Sequence, residues 1–133
     1  MSSSVSQRPL AAPQGVEVSD DAFLGGRVRV WQPALGFRAG LDSVMLAASV
    51  AATSRQRVCD LGAGVGTASL CLAARVGGLH ITGVEIDHDL AELAQANAAR
   101  NVHAASFEIV VADVLKRPRA LERQSFHHVI TNP

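Results

Sequence analysis

From Arg57 onward, four short apolar runs of strand length alternate with segments of helical spacing, and this alternation most restricts the folds open to the chain. Val58-Cys59-Asp60-Leu61 and residues 81–86, 107–111 and 127–131 are the expected strands. Residues 67–76 place Leu70, Leu72 and Ala73 on an apolar surface, and Gly77-Gly78 follow as a helix stop. A second helix is expected from Asp87 or Asp89, as its cap, through Asn101, with Leu90, Leu93, Ala94 and Asn97 at i, i+3, i+4 and i+7. Strands joined through helices run parallel with right-handed crossovers, so the expectation is an α/β fold: a parallel sheet with flanking helices.

What precedes Arg57 differs in pattern. Residues 1–19 mix Ser, Pro, Gln and Gly without period and are expected to form a mobile tail. Gly25-Gly26, flanked by Ala22-Phe23-Leu24 and Arg27-Val28-Arg29-Val30-Trp31, suggest a small β-hairpin with a two-residue connection. After a loop, Asp42 is expected to cap a helix over residues 43–53. The chain thus divides into a tail, a hairpin-and-helix segment at 20–56, and a sheet domain at 57–133. Asn132-Pro133 stand directly behind the fourth strand, which leaves one sheet edge uncovered and suggests the N-terminal portion of a larger domain.

Composition narrows the classes. With 133 residues, 48% hydrophobic and 18% charged, the chain can bury one core. Twelve Lys+Arg balance twelve Asp+Glu, so any nucleic-acid contact must come from a local patch rather than an overall positive field. No apolar stretch is long enough to suggest a membrane span. Cys59 and Cys71 lie in apolar patterns without a secretory segment ahead of them, the setting of reduced thiols in a cytoplasmic protein.

The chemistry concentrates in Asp60-Leu61-Gly62-Ala63-Gly64-Val65-Gly66, between a strand and a helix. Glycines there let the backbone turn sharply and approach a ligand that a Cβ would exclude. Glu85 ends the second strand, 23 positions past Gly62, where a carboxylate can accept from both ribose hydroxyls of a nucleoside. Asp113 follows the third strand, where it can accept from an adenine amino group, and Asn132-Pro133 follow the fourth. All four positions are carboxyl ends of parallel strands, the rim where open α/β sheets bind ligands. An acidic residue ahead of G-x-G-x-G would repel a diphosphate. It would attract the cationic amino-acid end, or the sulfonium, of S-adenosylmethionine.

Together, Asp60-x-Gly62-x-Gly64-x-Gly66, Glu85, Asp113 and Thr131-Asn132-Pro133 resemble the first four motifs of class I S-adenosylmethionine-dependent methyltransferases. Asn132-Pro133 is similar to the start of the Asn-Pro-Pro-Tyr/Phe signature of enzymes that methylate an exocyclic or amide nitrogen. The blocks from Phe23 to Pro33 and from Gly36 to Ala47 resemble the bacterial tRNA adenine-N6 methyltransferases that act beside the anticodon of valine tRNA. The resemblance implies a Rossmann-like domain, S-adenosylmethionine as cofactor and tRNA as substrate. It gives Gly62, Gly64 and Gly66 backbone amides facing the cofactor, and sets Asp60 on its amino group, Glu85 on its ribose and Asp113 on its adenine. Asn132 and the carbonyl of Pro133 would each accept a hydrogen bond from the target amino group, with no metal required. The second Pro and the aromatic residue are absent, so this chain is expected to bind cofactor more readily than it methylates. Methylation of a protein glutamine, or a cofactor-binding fragment without turnover, are the alternative expectations.

Arg38 and Asp42 lie in the family-like block and have two readings: closing over the cofactor, or a turn fixed by a helix cap. Lys116, Arg117, Arg119 and Arg123 form one basic cluster, read chiefly as a solvated face and secondarily as a phosphate contact. His127 and His128 point to opposite faces of a strand and are read as structural, as is Trp31 in the hairpin.

Overall fold

The computed structural model of the chain describes residues 17–36, 38–101, 106–123 and 125–133. Most of the expected tail, and Phe37, lie outside the described residues. The chain order is β1 (Val18–Phe23), β2 (Val28–Pro33), α1 (Leu41–Ser49), β3 (Arg57–Leu61), α2 (Thr67–Arg75), β4 (His80–Glu85), α3 (His88–Arg100), β5 (Phe107–Val111) and β6 (His128–Thr131). The sheet is parallel throughout, in the order β5-β4-β3-β6. Chain order reverses direction beside β3, so the switch point lies where β3 and β6 end.

The expected elements form, with shifted limits. β1 begins at Val18, inside the expected tail. Phe23 pairs with Val28, so the hairpin connection is four residues long, not two. Leu24, Gly25 and Gly26 all take positive φ there, which coils the connection into a short 3-10 turn closed by Arg27 N–H on the Leu24 carbonyl. Asp42 does not cap α1. Gly40 holds the N-cap and Asp42 lies in the first turn, where its negative charge opposes the helix dipole favourably. The helix ends at Ser49 rather than residue 53, because Arg75 of α2 donates to the Ala47 and Val50 carbonyls and Val50 turns extended. Asp87 does cap α3, accepting from the Asp89 and Leu90 amides at 2.9 and 3.1 Å. Gly77-Gly78 lie beyond the end of α2, whose C-cap is Val76; only Gly78 takes a positive φ.

One core joins these parts. Val28 and Val30 of the hairpin, Val58 and Ile81 of the sheet, and Leu70 and Leu72 of α2 belong to the same buried cluster. α2 is buried from Thr67 to Ala74, which its Ala, Ser and Cys side chains permit by letting α1 and β2 approach closely.

The hairpin is bound to α3 through two asparagines. Asn101 Oδ1 accepts from the Arg29 amide at 3.0 Å while its Nδ2 donates to the Arg29 carbonyl at 2.8 Å. Asn97 treats Trp31 in the same way, at 2.8 and 3.0 Å, and its Nδ2 also donates to the Val65 carbonyl in the glycine loop at 2.9 Å. The amides supply β2 with the donor and acceptor pattern of a neighbouring strand. On the outer side, Arg100 lies 4.0 Å from the Trp31 ring centroid and pairs with both Asp20 oxygens, so Trp31 is a packing residue of the hairpin.

Among the described residues, no helix is long and apolar enough to cross a membrane. His127 and His128 are engaged by the chain itself: Nδ1 of His127 accepts from the Arg57 amide, and His128 Nε2 lies 2.8 Å from Gln56 Oε1.

Candidate cofactor and acceptor site

The glycine loop turns immediately after β3. Gly62, Gly64 and Gly66 take φ of 68°, 57° and 91°, the left-handed region that other residues avoid. A Cβ on Gly62 or Gly64 would meet nothing within 4 Å, so these two face open space, whereas one on Gly66 would come 2.9 Å from Phe107. The glycine amides are used within the protein rather than offered to a ligand. Gly62 donates to the Val84 carbonyl at 2.9 Å, Gly64 to Glu85 Oε1 at 2.9 Å and Gly66 to the Ala63 carbonyl at 3.0 Å. What the first two glycines contribute is the absence of a side chain.

Glu85 is buried at the end of β4. One carboxylate oxygen takes the Gly64 amide and the other takes the Asp87 amide, both at 2.9 Å. It therefore holds the loop in shape, and each oxygen keeps a lone pair for a further donor. Two residues expected to meet on a ligand meet each other first.

Asp60 is 3% exposed and accepts from Ser69 Oγ at 2.7 Å. Burial pushes its carboxyl up to about 6; the Ser69 hydroxyl works against that rise and the Glu85 charge adds to it. A buried carboxylate without a cation beside it is a place where a positive group would be well received.

Asn132 follows β6, and its Nδ2 donates to Asp42 Oδ2 at 2.7 Å. That bond holds the Asp42 carboxyl below its ordinary range. An ionised carboxylate only accepts, so it fixes the amide nitrogen toward Asp42 and leaves the Asn132 oxygen as a free acceptor. Asp60, Gly62, Gly64 and Asn132 line one cleft at the switch point.

Of the other expected site residues, Glu85 and Asp42 join this cleft only through Gly64 and Asn132, Gly66 faces Phe107, and three more are held elsewhere. Arg38 donates to Asp21 Oδ2 at 2.7 Å and serves the hairpin. Asp113 caps a 3-10 turn over Val114–Lys116, accepting from the Leu115 amide at 2.9 Å. Pro133 is exposed beyond Asn132. The sequence reading missed Gln32, Ser43 and Thr67, all of which line the cleft and are buried. Gln32 bridges the hairpin to the cleft, donating to Asp21 and accepting from the Ala39 amide at 2.7 Å. Polar residues within the apolar alternation of β2 and the apolar stretch of α2 were the available signal.

Residues 38–133 match the family model described as methyltransferase small domain. The chain belongs to this family. A tRNA1(Val) (adenine(37)-N6)-methyltransferase of Shewanella baltica is 37% identical over 99 residues, covering 74% of this chain and 41% of that protein. The chain spans less than half the length of that relative. The crystal structure of a predicted O-methyltransferase from Agrobacterium tumefaciens superposes with a TM-score of 0.60 at 36% identity, over 68% of this chain and 48% of the other. A SAM-dependent methyltransferase from the same organism shares the fold over 91% of this chain and 41% of its own, with a TM-score of 0.66 and 20% identity.

The cleft of this methyltransferase-family chain fits S-adenosylmethionine on its own features. The space over Gly62 and Gly64 admits a ligand where any Cβ would intrude. Among the described residues Asp60 forms no ion pair, and the hydroxyl of Thr67, a residue lining the same cleft, is buried without a hydrogen bond.

Proposed function

We propose that the chain is the cofactor-binding part of an S-adenosylmethionine-dependent methyltransferase whose acceptor is the exocyclic N6 of adenine in tRNA. The observation that carries this reading is the Asp42-oriented Asn132 amide, whose side chain lines the same cleft as Asp60 and the glycine loop. The name of the Shewanella relative supports the choice of acceptor.

When bound, the cofactor supplies an electrophilic methyl carbon on a sulfonium. Asp60 receives the cationic amino group, and Gly62 and Gly64 leave room for the nucleoside. Glu85, already holding the loop, accepts from the ribose with its remaining lone pairs, and Asp113 accepts from adenine. Asn132 Oδ1 and the Pro133 carbonyl accept the two N–H groups of the target amine. This placement would turn the nitrogen lone pair away from the two acceptors and toward the methyl donor. A neutral aromatic amine is a weak nucleophile, so orientation and matched acceptors do most of the work. Lys116, Arg117, Arg119 and Arg123, exposed beyond Asp113, are available to RNA phosphates.

The test is mass spectrometry of tRNA nucleosides from cells with and without the intact gene. Loss of N6-methyladenosine from one tRNA on deletion is the expected result. Unchanged tRNA, with methylated glutamine lost from a protein, would transfer the reading to amide methylation.

A further inference from the structure

Side chains alternate along β2, and Val28, Val30 and Gln32 are the three that turn inward and are buried. Two are apolar, as a core position asks, while the third carries an amide inside at 2% exposure. Burying an amide is costly unless its polar ends are met. Here both are met: Nε2 donates to Asp21 Oδ2 at 2.9 Å, and Oε1 accepts from the Ala39 N–H at 2.7 Å. The same Asp21 oxygen takes Arg38 Nη2 at 2.7 Å. Adjacent residues of the segment ahead of α1 are thus fastened to one point of the hairpin, Arg38 directly and Ala39 through Gln32.

Beyond Ala39 lies the start of α1. Gly40 holds the N-cap, its carbonyl accepting from the Ser43 N–H at 3.1 Å and its own N–H donating to Asp42 Oδ1 at 3.3 Å. The other Asp42 oxygen accepts from Asn132 Nδ2 at 2.7 Å. A continuous relay therefore runs from Asp21 through Gln32, Ala39, Gly40 and Asp42 to Asn132. The carboxyl end of α1 is fixed separately, by Arg75 of α2 on the Ala47 and Val50 carbonyls. With that end held, the tie at Ala39 sets where the first turn of α1 stands, and Asp42 stands with it. Gln32, Ala39 and Asn132 line the same cleft. An apolar residue in place of Gln32 would suit the core and leave the Ala39 amide without its acceptor.

We infer that Gln32 is a positioning residue for methyl transfer: it holds the start of α1 where Asp42 turns the Asn132 amide oxygen toward the acceptor nitrogen. The inference rests on the proposed acceptor role of Asn132, whereas the relay is a property of the fold. Supporting side chains of this kind act by fixing the orientation of the group that meets the substrate.

Heteronuclear NMR of the isotope-labelled full chain reads the Asn132 side-chain amide directly, its signals being assigned by their loss in Asn132→Ala. An N–H donated to a carboxylate is held in a strong, charge-assisted bond and resonates downfield of its twin, so the parent shows two well-separated protons. Gln32→Met keeps the side-chain length and removes both polar ends. Expected is a collapse of that separation toward the spacing in Asp42→Ala. Asp21→Ala loosens only the far end of the relay, at a half-exposed position that does not threaten folding, and should move the signals the same way by less. Asn101→Leu frees the Arg29 backbone from α3, loosening the hairpin away from the relay, and should leave the Asn132 signals in place. In methyl-transfer assays of the intact gene product, Gln32→Met should lower kcat about tenfold while KM for S-adenosylmethionine stays within about twofold. Unchanged Asn132 signals in Gln32→Met, or in Asp21→Ala should the former not fold, overturn the inference, as does an equal collapse in Asn101→Leu. A collapse with kcat unaltered shows instead that Asn132 is not the acceptor-orienting group, and the proposed reaction geometry falls together with this role.

Discussion

Asp42 and Asn132 are 90 positions apart in sequence and 2.7 Å apart in space, and the carboxylate decides which end of the amide is free. Asp42→Asn removes that decision, since two amides can pair in either sense. The expected outcome is a kcat lower by about ten- to a hundredfold with cofactor affinity unchanged, because an ill-placed acceptor group costs that order of rate. Steady-state kinetics beside calorimetry checks it, and Asp42→Glu should recover part of the rate. Asp60 makes a pH-dependent contribution of its own. Burial lifts its carboxyl out of the ordinary carboxylate range to about 6, so between the two the folded state keeps a proton that the unfolded state has lost. Stability contributed at this position therefore falls as pH rises through that window. Cation binding follows the opposite sense and strengthens as Asp60 ionises. Asp60→Asn should raise resistance to urea at pH 7 relative to the parent, flatten the pH dependence between 4 and 7, and weaken S-adenosylhomocysteine binding; a parent more stable than the variant at pH 7 would contradict this assignment.

At the scale of elements, the glycine loop is held by Glu85 from one side and by Asn97 from the other. Asn97→Leu strands the Trp31 amide and the Trp31 and Val65 carbonyls in a buried setting. A loss of about 2–4 kcal/mol in denaturant unfolding is expected, more than for a solvent-facing asparagine. The loop itself was legible in sequence because only glycine occupies its left-handed positions freely, and β5 was legible because Phe107, Ile109, Val110 and Val111, interrupted only by Glu108, are strand-favouring residues in a short run. Asp87 could be read as a cap because its partners are the next two or three amides in the chain. The asparagine contacts were not legible. Asn97 occupies a core position of α3 at the same spacing as Leu90, Leu93 and Ala94, and a linear pattern does not say that its amide finds β2. Asp42 misled for a related reason: a carboxylate near a helix start suggests a cap, but its decisive partner arrives from the far end of the chain.

For the molecule as a whole, the two thiols report on integrity. Cys59 and Cys71 are each about 1% exposed, and burial pushes both up to about 11, with the Asp60 charge adding to the effect on Cys59. Thiolate is the reactive form, so both cysteines should resist a thiol reagent at pH 8 and titrate fully in denaturant. Rapid native-state labelling of either would argue against this packing. The asparagine seam bears on a different property of the assembly. Because a single side chain grips Trp31 and Val65 together, a fluctuation that peels the hairpin away also releases the glycine loop. Deuterium uptake at Arg29 and Trp31 should therefore share one opening event, making the N-terminal ribbon a tether whose slackening is felt in the cleft beside β3.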